Sequence, residues 1–408
     1  MSKFLTSTFL MGLLSFFLIS CGGGSSQTVP ALTPTFGTPN ATGDGFTVQI
    51  SNFDSTYTYT GTATASGTVT ISGAGLVTVT GVAPLTNSTA TITTAKAGAQ
   101  NASGQIASTS SCSSKVYVAN QSSNDVSVLC ATGNTYTVAQ SIPVGNASQS
   151  VVFSPAGSVA YVANQTSNSI SVINTGTNSV DSTIPVDPEP ISVALPPTGT
   201  RAYVSHLNSM SLSVIDTAAK TVISHINGFN RPAIVAVSIN GSKAYVPNYG
   251  TNTISVIDTS TDTVTSSITV GLYPYWVAFS PDGSVAYVTN RGSNTVSVIN
   301  ANTNIVTATI VVGSGPYGLA FSPDGSVAYV TNIGSNSVSV INTATRIVSA
   351  TIPVGNTPTS VAFSTNGTKA YTTNNSDNSI SVIDTTTNTV GSTIAVGSYP
   401  YRLATSPN

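Results

Sequence analysis

Seven tyrosines, Tyr117, Tyr161, Tyr203, Tyr245, Tyr287, Tyr329 and Tyr371, recur along the chain, 44 residues apart at the first step and 42 at every later one. A period of this length marks a supersecondary unit that cannot cover its own apolar faces and must stack on copies of itself. Each copy holds four short strand signals. In the copy beginning near Pro274 they are YWVAFS, SVAYVTN, TVSVIN and IVTATIVVG, separated by SPDG, NRGSN and ANTN. Period-two alternation rich in β-branched residues predicts strands, and the short Asn, Asp and Gly turns predict antiparallel pairing. In SPDG, Pro281 presets φ, Asp282 caps its own turn and Gly283 accepts positive φ. Seven four-stranded antiparallel units predict an all-β fold, a seven-bladed β-propeller over residues 115–408.

The chain ends show how such a ring would close. The first copy starts at Lys115-Val116-Tyr117-Val118 with no VAFS-like strand before it, and the chain ends in an unpartnered one, Tyr401-Arg402-Leu403-Ala404-Thr405-Ser406. The C-terminal strand is therefore expected to pair into the first blade and leave no open edge. Ahead of the repeats, residues 36–106 alternate in period two, as in Phe46-Thr47-Val48-Gln49-Ile50. They predict a small immunoglobulin-like or fibronectin-like β-sandwich that serves as a spacer. Residues 21–35 and 107–114 are expected to be linkers.

The motif AYVTN, intact at 286–290 and 328–332 and varied as AYVAN, AYVSH, AYVPN and AYTTN, resembles the YVTN family of bacterial and archaeal β-propeller proteins. The resemblance runs from residue 115 to the C-terminus. It implies a cell-envelope or surface-layer setting and a fold similar to that of seven-bladed lactonases. The N-terminus fits export: Lys3, an apolar run from Phe4 to Ile19, then Leu18-Ile19-Ser20-Cys21, which resembles a lipoprotein lipobox. Residues 1–20 are read as a signal peptide and Cys21 as the lipidation site, anchoring the protein to a membrane, with the outer membrane favoured by Gly22. An ordinary secretory signal or a short membrane helix are the alternatives. In an oxidising compartment Cys112, just before the first propeller strand, and Cys130, at the end of its neighbour, are expected to pair. Such a bond would stabilise by about 3 kcal/mol.

Charged residues make up only 6% of the chain and its eleven Lys and Arg are scattered, so no basic stripe suits a nucleic acid. Catalytic signals are sparse. Glycoside hydrolysis needs two carboxylates, yet Glu189 is the only glutamate. Asp282 and Asp324 in SPDG, and Asp216, Asp258 and Asp384 after SVI, sit at repeat-equivalent turns. His206 and His225 are too few for a histidine cluster, and His206 with Met210 forms a weak soft-metal pair, so no metal or cofactor is expected.

The exceptions to the repeat carry more functional information. Loops joining second to third strands, and those joining one blade to the next, emerge on one face of an antiparallel propeller. Phe229, Arg231, Tyr249, Tyr273, Tyr275, Trp276, Arg291, Tyr317, Tyr399, Tyr401 and Arg402 all map there, and Tyr136 lies elsewhere. Packing over strand ends accounts for part of this, because Tyr275, Tyr317 and Tyr401 are repeat-equivalent. The other part suits a binding face for a glycan or an envelope protein, since Tyr and Trp offer rigid area with a polar handle. The expectation is a monomeric, non-catalytic binding or scaffolding module, with a lactonase-like hydrolase or a purely structural envelope component as alternatives.

Overall fold

A computed structural model describes residues 29–97, 99–109, 112, 114–132 and 135–407. The lipobox and Cys21 lie outside the described residues. The repeats form seven four-stranded antiparallel sheets, six of them in sequence order. In the fifth blade the strands are Pro274–Phe279, Val285–Asn290, Thr295–Asn300 and Ile305–Val311. The second and third strands are buried on both faces, because a neighbouring blade covers each side, whereas the outermost strand alternates exposed and half-buried residues. The first blade closes the ring: Ser114–Asn120, Asp125–Thr132 and Thr135–Pro143 are completed by Pro400–Thr405, with Leu403 opposite Val118.

The periodic tyrosines explain why the blades stack. Each ring is buried, and four of the seven, Tyr117, Tyr245, Tyr287 and Tyr329, pack on a phenylalanine of the next blade's inner strand, with centroids 4.8 Å apart for Tyr245 and Phe279 and 4.7 Å for Tyr329 and Phe363. The hydroxyl then reaches the next blade's outer hairpin. Tyr245 Oη donates to Asn304 Oδ1 at 2.5 Å, Tyr329 Oη to Asn388 Oδ1 at 2.5 Å and Tyr203 Oη to Asp262 Oδ1 at 2.9 Å. These acceptors sit in left-handed turns, with φ of 58°, 53° and 54°, a conformation that Asn and Asp tolerate well. One side chain thus supplies apolar burial and a directional bond between blades. In the closing blade Tyr136 takes this place and packs against Tyr371, centroids 6.0 Å apart. The first spacing of 44 arises because the hairpin of Asp125–Thr132 and Thr135–Pro143 is longer than its counterparts in the other blades.

Turns follow the local chemistry. Ser280 Oγ and Ser284 N both donate to Asp282 Oδ1, while Gly283 adopts φ of +71°. At the end of each second strand but one, an asparagine latches its own hairpin. Asn332 Nδ2 donates to Ser337 Oγ at 3.2 Å and Ser339 Oγ at 3.0 Å. The Asn332 carboxamide lies against Gly313 so closely that an added Cβ would come within 2.6 Å of Asn332 Cγ. Gly313→Ala is therefore expected to cost about 1–3 kcal/mol through overpacking, read as a lower melting temperature. An unchanged melting temperature would show that the latch gives way freely.

Residues 40–109 fold as a two-sheet sandwich. One sheet contains Asn40–Thr42, Gly45–Gln49, Leu76–Thr80 and Thr68–Ile71; the other contains Thr58–Ala63, Asn87–Ala95 and Ala102–Thr109. Phe46, Val48, Val77, Val79 and Ile92 fill the space between them. The domain runs further than the expected boundary at residue 106. Ala107, Ser108 and Thr109 pair with Thr89, Ser88 and Asn87 through the backbone ladder, which needs no apolar side chains. The expected 107–114 linker shortens accordingly, since Ser114 already belongs to the first blade. Among the described residues no helix is long and apolar enough to cross a membrane.

Candidate functional site

Loops that join successive blades meet the loops between second and third strands on one face, and both are strapped together. Arg291 N donates to Tyr273 O at 3.1 Å, Tyr249 N to Arg231 O at 3.2 Å, and Gln121 N to Tyr399 O at 2.9 Å. Asparagines of the preceding blade hold the same loops: Asn252 Oδ1 accepts from Tyr273 N and Asn378 Oδ1 from Tyr399 N, each at 2.8 Å. The strapped position is left-handed in every blade, at Ala147, Glu189, Arg231, Tyr273, Gly315, Thr357 and Tyr399, with φ between 53° and 63°. A left-handed non-glycine residue costs about 1–2 kcal/mol, so the straps hold these side chains in fixed outward directions. Alignment of the residues preceding Pro190, Pro232, Pro274, Pro316, Pro358 and Pro400 exposes this register in the sequence, and Glu189 and Thr357 belong to it alongside the residues singled out above, while Ala147 holds the same place before Ser148.

The side chains expected on one face separate into three environments. Arg231, Tyr249, Tyr273, Arg291 and Tyr399 form the rim. Tyr273 and Tyr399 are half exposed, Tyr273 stacks on Tyr249 with centroids 4.9 Å apart, and the Arg231 guanidinium lies 5.0 Å over the Tyr249 ring. Arg291 reaches inward, 5.7 Å over Tyr317. Phe229 is corrected from surface to core. It is 2% exposed and packs with Tyr203, Leu212, Ile226 and Val235, because its blade-to-blade loop puts an aromatic where other blades have glycines such as Gly271 and Gly313.

Tyr275, Trp276, Tyr317, Tyr401 and Arg402 lie inside the central channel. In six blades the inner strand bulges just after its first residue, as between Pro274 and Trp276 and between Pro400 and Arg402. A bulge re-aims side chains, so two successive residues turn towards the axis. Tyr275 and Tyr317 stack with centroids 4.1 Å apart, and Tyr275 Oη lies 3.0 Å from Tyr401 Oη, which also bonds Tyr317 Oη. Burial holds the Tyr275 and Tyr317 phenols well above their ordinary pKa. These rings plug the rim end. Beneath them Arg402 spans the axis, with its Nη1 donating to Ser150 Oγ at 3.1 Å and Ser192 Oγ at 3.3 Å, and its guanidinium 4.5 Å over Trp276. Desolvation lowers its pKa to about 10.

Elsewhere, Asp216, Asp258, Asp282, Asp324 and Asp384 accept bonds within their own turns. His206 replaces the asparagine latch. Its Nε2 pairs with Ser213 Oγ at 2.9 Å, burial lowers its pKa, and Met210 is 67% exposed. Asp187 stands where five of the other blades have glycine and the fourth has Phe229. Among the described residues no three His, Cys, Asp or Glu side chains gather as a metal-binding group. Cys112 and Cys130 are joined by a disulfide, their Cα atoms 5.3 Å apart.

Residues 229–332, from the fourth blade into the sixth, match a family described as YNCE-like beta-propeller. Among solved structures, the chain is similar to one from Kuenenia stuttgartiensis hydrazine synthase, at 23% identity and a TM-score of 0.57, over 62% of this chain and 87% of that one. It is also similar to a functionally unknown protein from Desulfotomaculum acetoxidans DSM 771, at 16% identity and a TM-score of 0.64, over 72% of this chain and 99% of the other. No curated protein matches the chain. The solved structures share its fold.

Proposed function

We propose that this β-propeller repeat protein is a YVTN-type binding module, exported and tethered to the cell envelope through lipidated Cys21, and that it holds a glycan or a polypeptide segment of the envelope on its rim. The observation that carries this reading is the Tyr249–Tyr273 stack capped by Arg231, set on loops whose backbone is strapped in a costly conformation. Backbone strain maintained by surrounding bonds accompanies functional surfaces. Half-exposed tyrosine with arginine is the composition of interaction hot spots and of sugar-stacking platforms. A binding role is favoured over hydrolysis by the turn aspartates, whose carboxylates are engaged in shaping loops.

The test uses the chain from residue 22, screened against envelope glycans and envelope proteins, with Tyr249→Ala/Tyr273→Ala beside the parent. Loss of the stacked pair should weaken binding at least tenfold, on the order of 1.4 kcal/mol or more, with an unchanged melting temperature. Equal binding by the double variant would sink the rim as the contact surface. For the anchor, replacing Cys21 with Ser should release the protein from the membrane fraction; undiminished membrane retention would remove lipidation from the proposal.

A further inference from the structure

We propose that the central channel is a second, separate binding site, for a small organic carboxylate, with Arg402 as its anchor. Below the tyrosine plug the channel is a cup of about 610 Å³, entered from the face that carries the SPDG turns. Its wall is a ring of small residues at 42-residue spacing, Ala236, Ala278, Ala320, Ala362 and Ala404, with Val152 in the same register. Trp276 and Arg402 lie at its inner end. A volume of this size with mainly apolar walls, a few hydroxyls from Ser154, Thr365 and Thr405 and one cationic anchor is what small-ligand sites present.

Arg402 is a cation that folding has placed in an apolar cavity without a counter-ion. Among the described residues the ion pairs are Arg201 with Asp262, Lys220 with Asp181, His225 with Asp187 and Lys369 with Asp384, and none involves Arg402. Its described polar partners are two serine hydroxyls, both served by Nη1, which leaves Nη2 and Nε to donate elsewhere. Arg402 is half-buried, and drawing a charge partly out of water without pairing it is unfavourable, so an anion entering the cup gains an attraction that the protein does not satisfy by itself. The guanidinium is planar and stacked on Trp276, and a carboxylate meets such a fork in a bidentate fashion. The alanine ring then favours a ligand with an apolar body over a fully hydrated inorganic anion. This site lies at the opposite mouth from the rim and does not depend on the rim's ligand.

Trp276 is the only tryptophan in the chain, so intrinsic fluorescence reports on the cup directly. Benzoate titrated into the purified protein should give a saturable change, and benzamide, its uncharged isostere, should give at least tenfold weaker binding, with sulfate weaker than benzoate. Arg402→Met should weaken benzoate binding at least tenfold, and Arg402→Lys should fall between it and the parent. Ala278→Leu leaves Arg402 in place and narrows the wall, so it should exclude benzoate even if the Arg402 variants fold poorly. The proposal is overturned if the parent shows no saturable response, if benzamide or sulfate binds as well as benzoate, or if folded Arg402→Met or Ala278→Leu retains parental affinity. The rim screen is independent of every one of these outcomes.

Discussion

Removal of residues 398–408 is expected to lower the melting temperature sharply and to drive the protein into aggregates. The deleted segment contributes the inner strand of the first blade, and Leu403 is buried with Val116, Val118, Leu129 and Tyr371. Losing a buried leucine alone costs about 2–5 kcal/mol, against a typical total stability of about 5–15 kcal/mol. Bonds to the adjacent seventh blade go as well: Thr359 Oγ1 to Tyr401 O at 2.7 Å and Thr405 Oγ1 to Phe363 O at 2.9 Å. What remains is an unpaired edge along Ser114–Asn120, flanked by apolar side chains, which is a template for pairing with another chain. Light scattering and thermal unfolding beside the parent would measure the effect. A synthetic peptide of residues 398–408 should restore part of the lost stability by strand addition. A truncated protein that scatters and melts like the parent would show that ring closure is energetically idle.

The architecture was legible because its causes are local and repeated. Alternation names each strand, SPDG names each hairpin, and two incomplete ends name the closure, so every blade restates the same evidence. The site was harder to read because it depends on one residue of register. Position along the chain placed Tyr273 and Tyr275 on the same face, and they do emerge from the same loop. Tyr273 stays in the left-handed strap, half exposed, while the bulge at Tyr275, between Pro274 and Trp276, takes that ring into the channel. Phe229 was misplaced for a related reason: its loop departs from the VGxxP pattern, and with the glycine gone an apolar side chain found the core. Arg402 maps to the loop face in the sequence, because nothing in a single sequence shows that its neighbours across the axis are Ser150 and Ser192. Long-range contacts of this kind follow from ring geometry, which the period implies but whose radius it does not state.

The coupled exceptions in the third blade show what the period does constrain. Where the latch is asparagine, the residue beneath it in most blades must lack a Cβ. A Cβ added to Gly145, Gly271, Gly313, Gly355 or Gly397 would come within 2.5–2.8 Å of the asparagine facing it. His206 satisfies Ser213 from a different angle, and Asp187 then becomes admissible. The fourth blade solves the same conflict differently, keeping the Asn248 latch while its altered loop turns Phe229 into the core, so both exceptions at this position are structural adjustments and leave the rim and channel as the places where departures from the repeat are free to serve binding.

Alkaline pH should unfold this protein far more steeply than it would a propeller closed by phenylalanines. Burial raises the phenols of the periodic tyrosines, to about 12 for Tyr245 and Tyr329 and further for Tyr117, Tyr203 and Tyr371. In the unfolded chain they titrate near 10. A folded pKa above the unfolded one means that the native state binds the proton more tightly, so the contribution is complete below roughly pH 10 and is lost as pH climbs towards 12. Several tyrosines titrate in the same window, and for Tyr117, Tyr203, Tyr245 and Tyr329 the proton lost also removes the donor to a left-handed turn in the next blade, so the losses fall on several interfaces of the ring together. Tyr329→Phe should cost about 1 kcal/mol near neutral pH, the worth of its bond to Asn388, yet flatten the alkaline slope. Urea unfolding as a function of pH, read beside tyrosinate absorbance, decides the matter. If these phenols ionise near pH 10 while the fold persists, the tyrosines are not the buried staples that hold blade to blade.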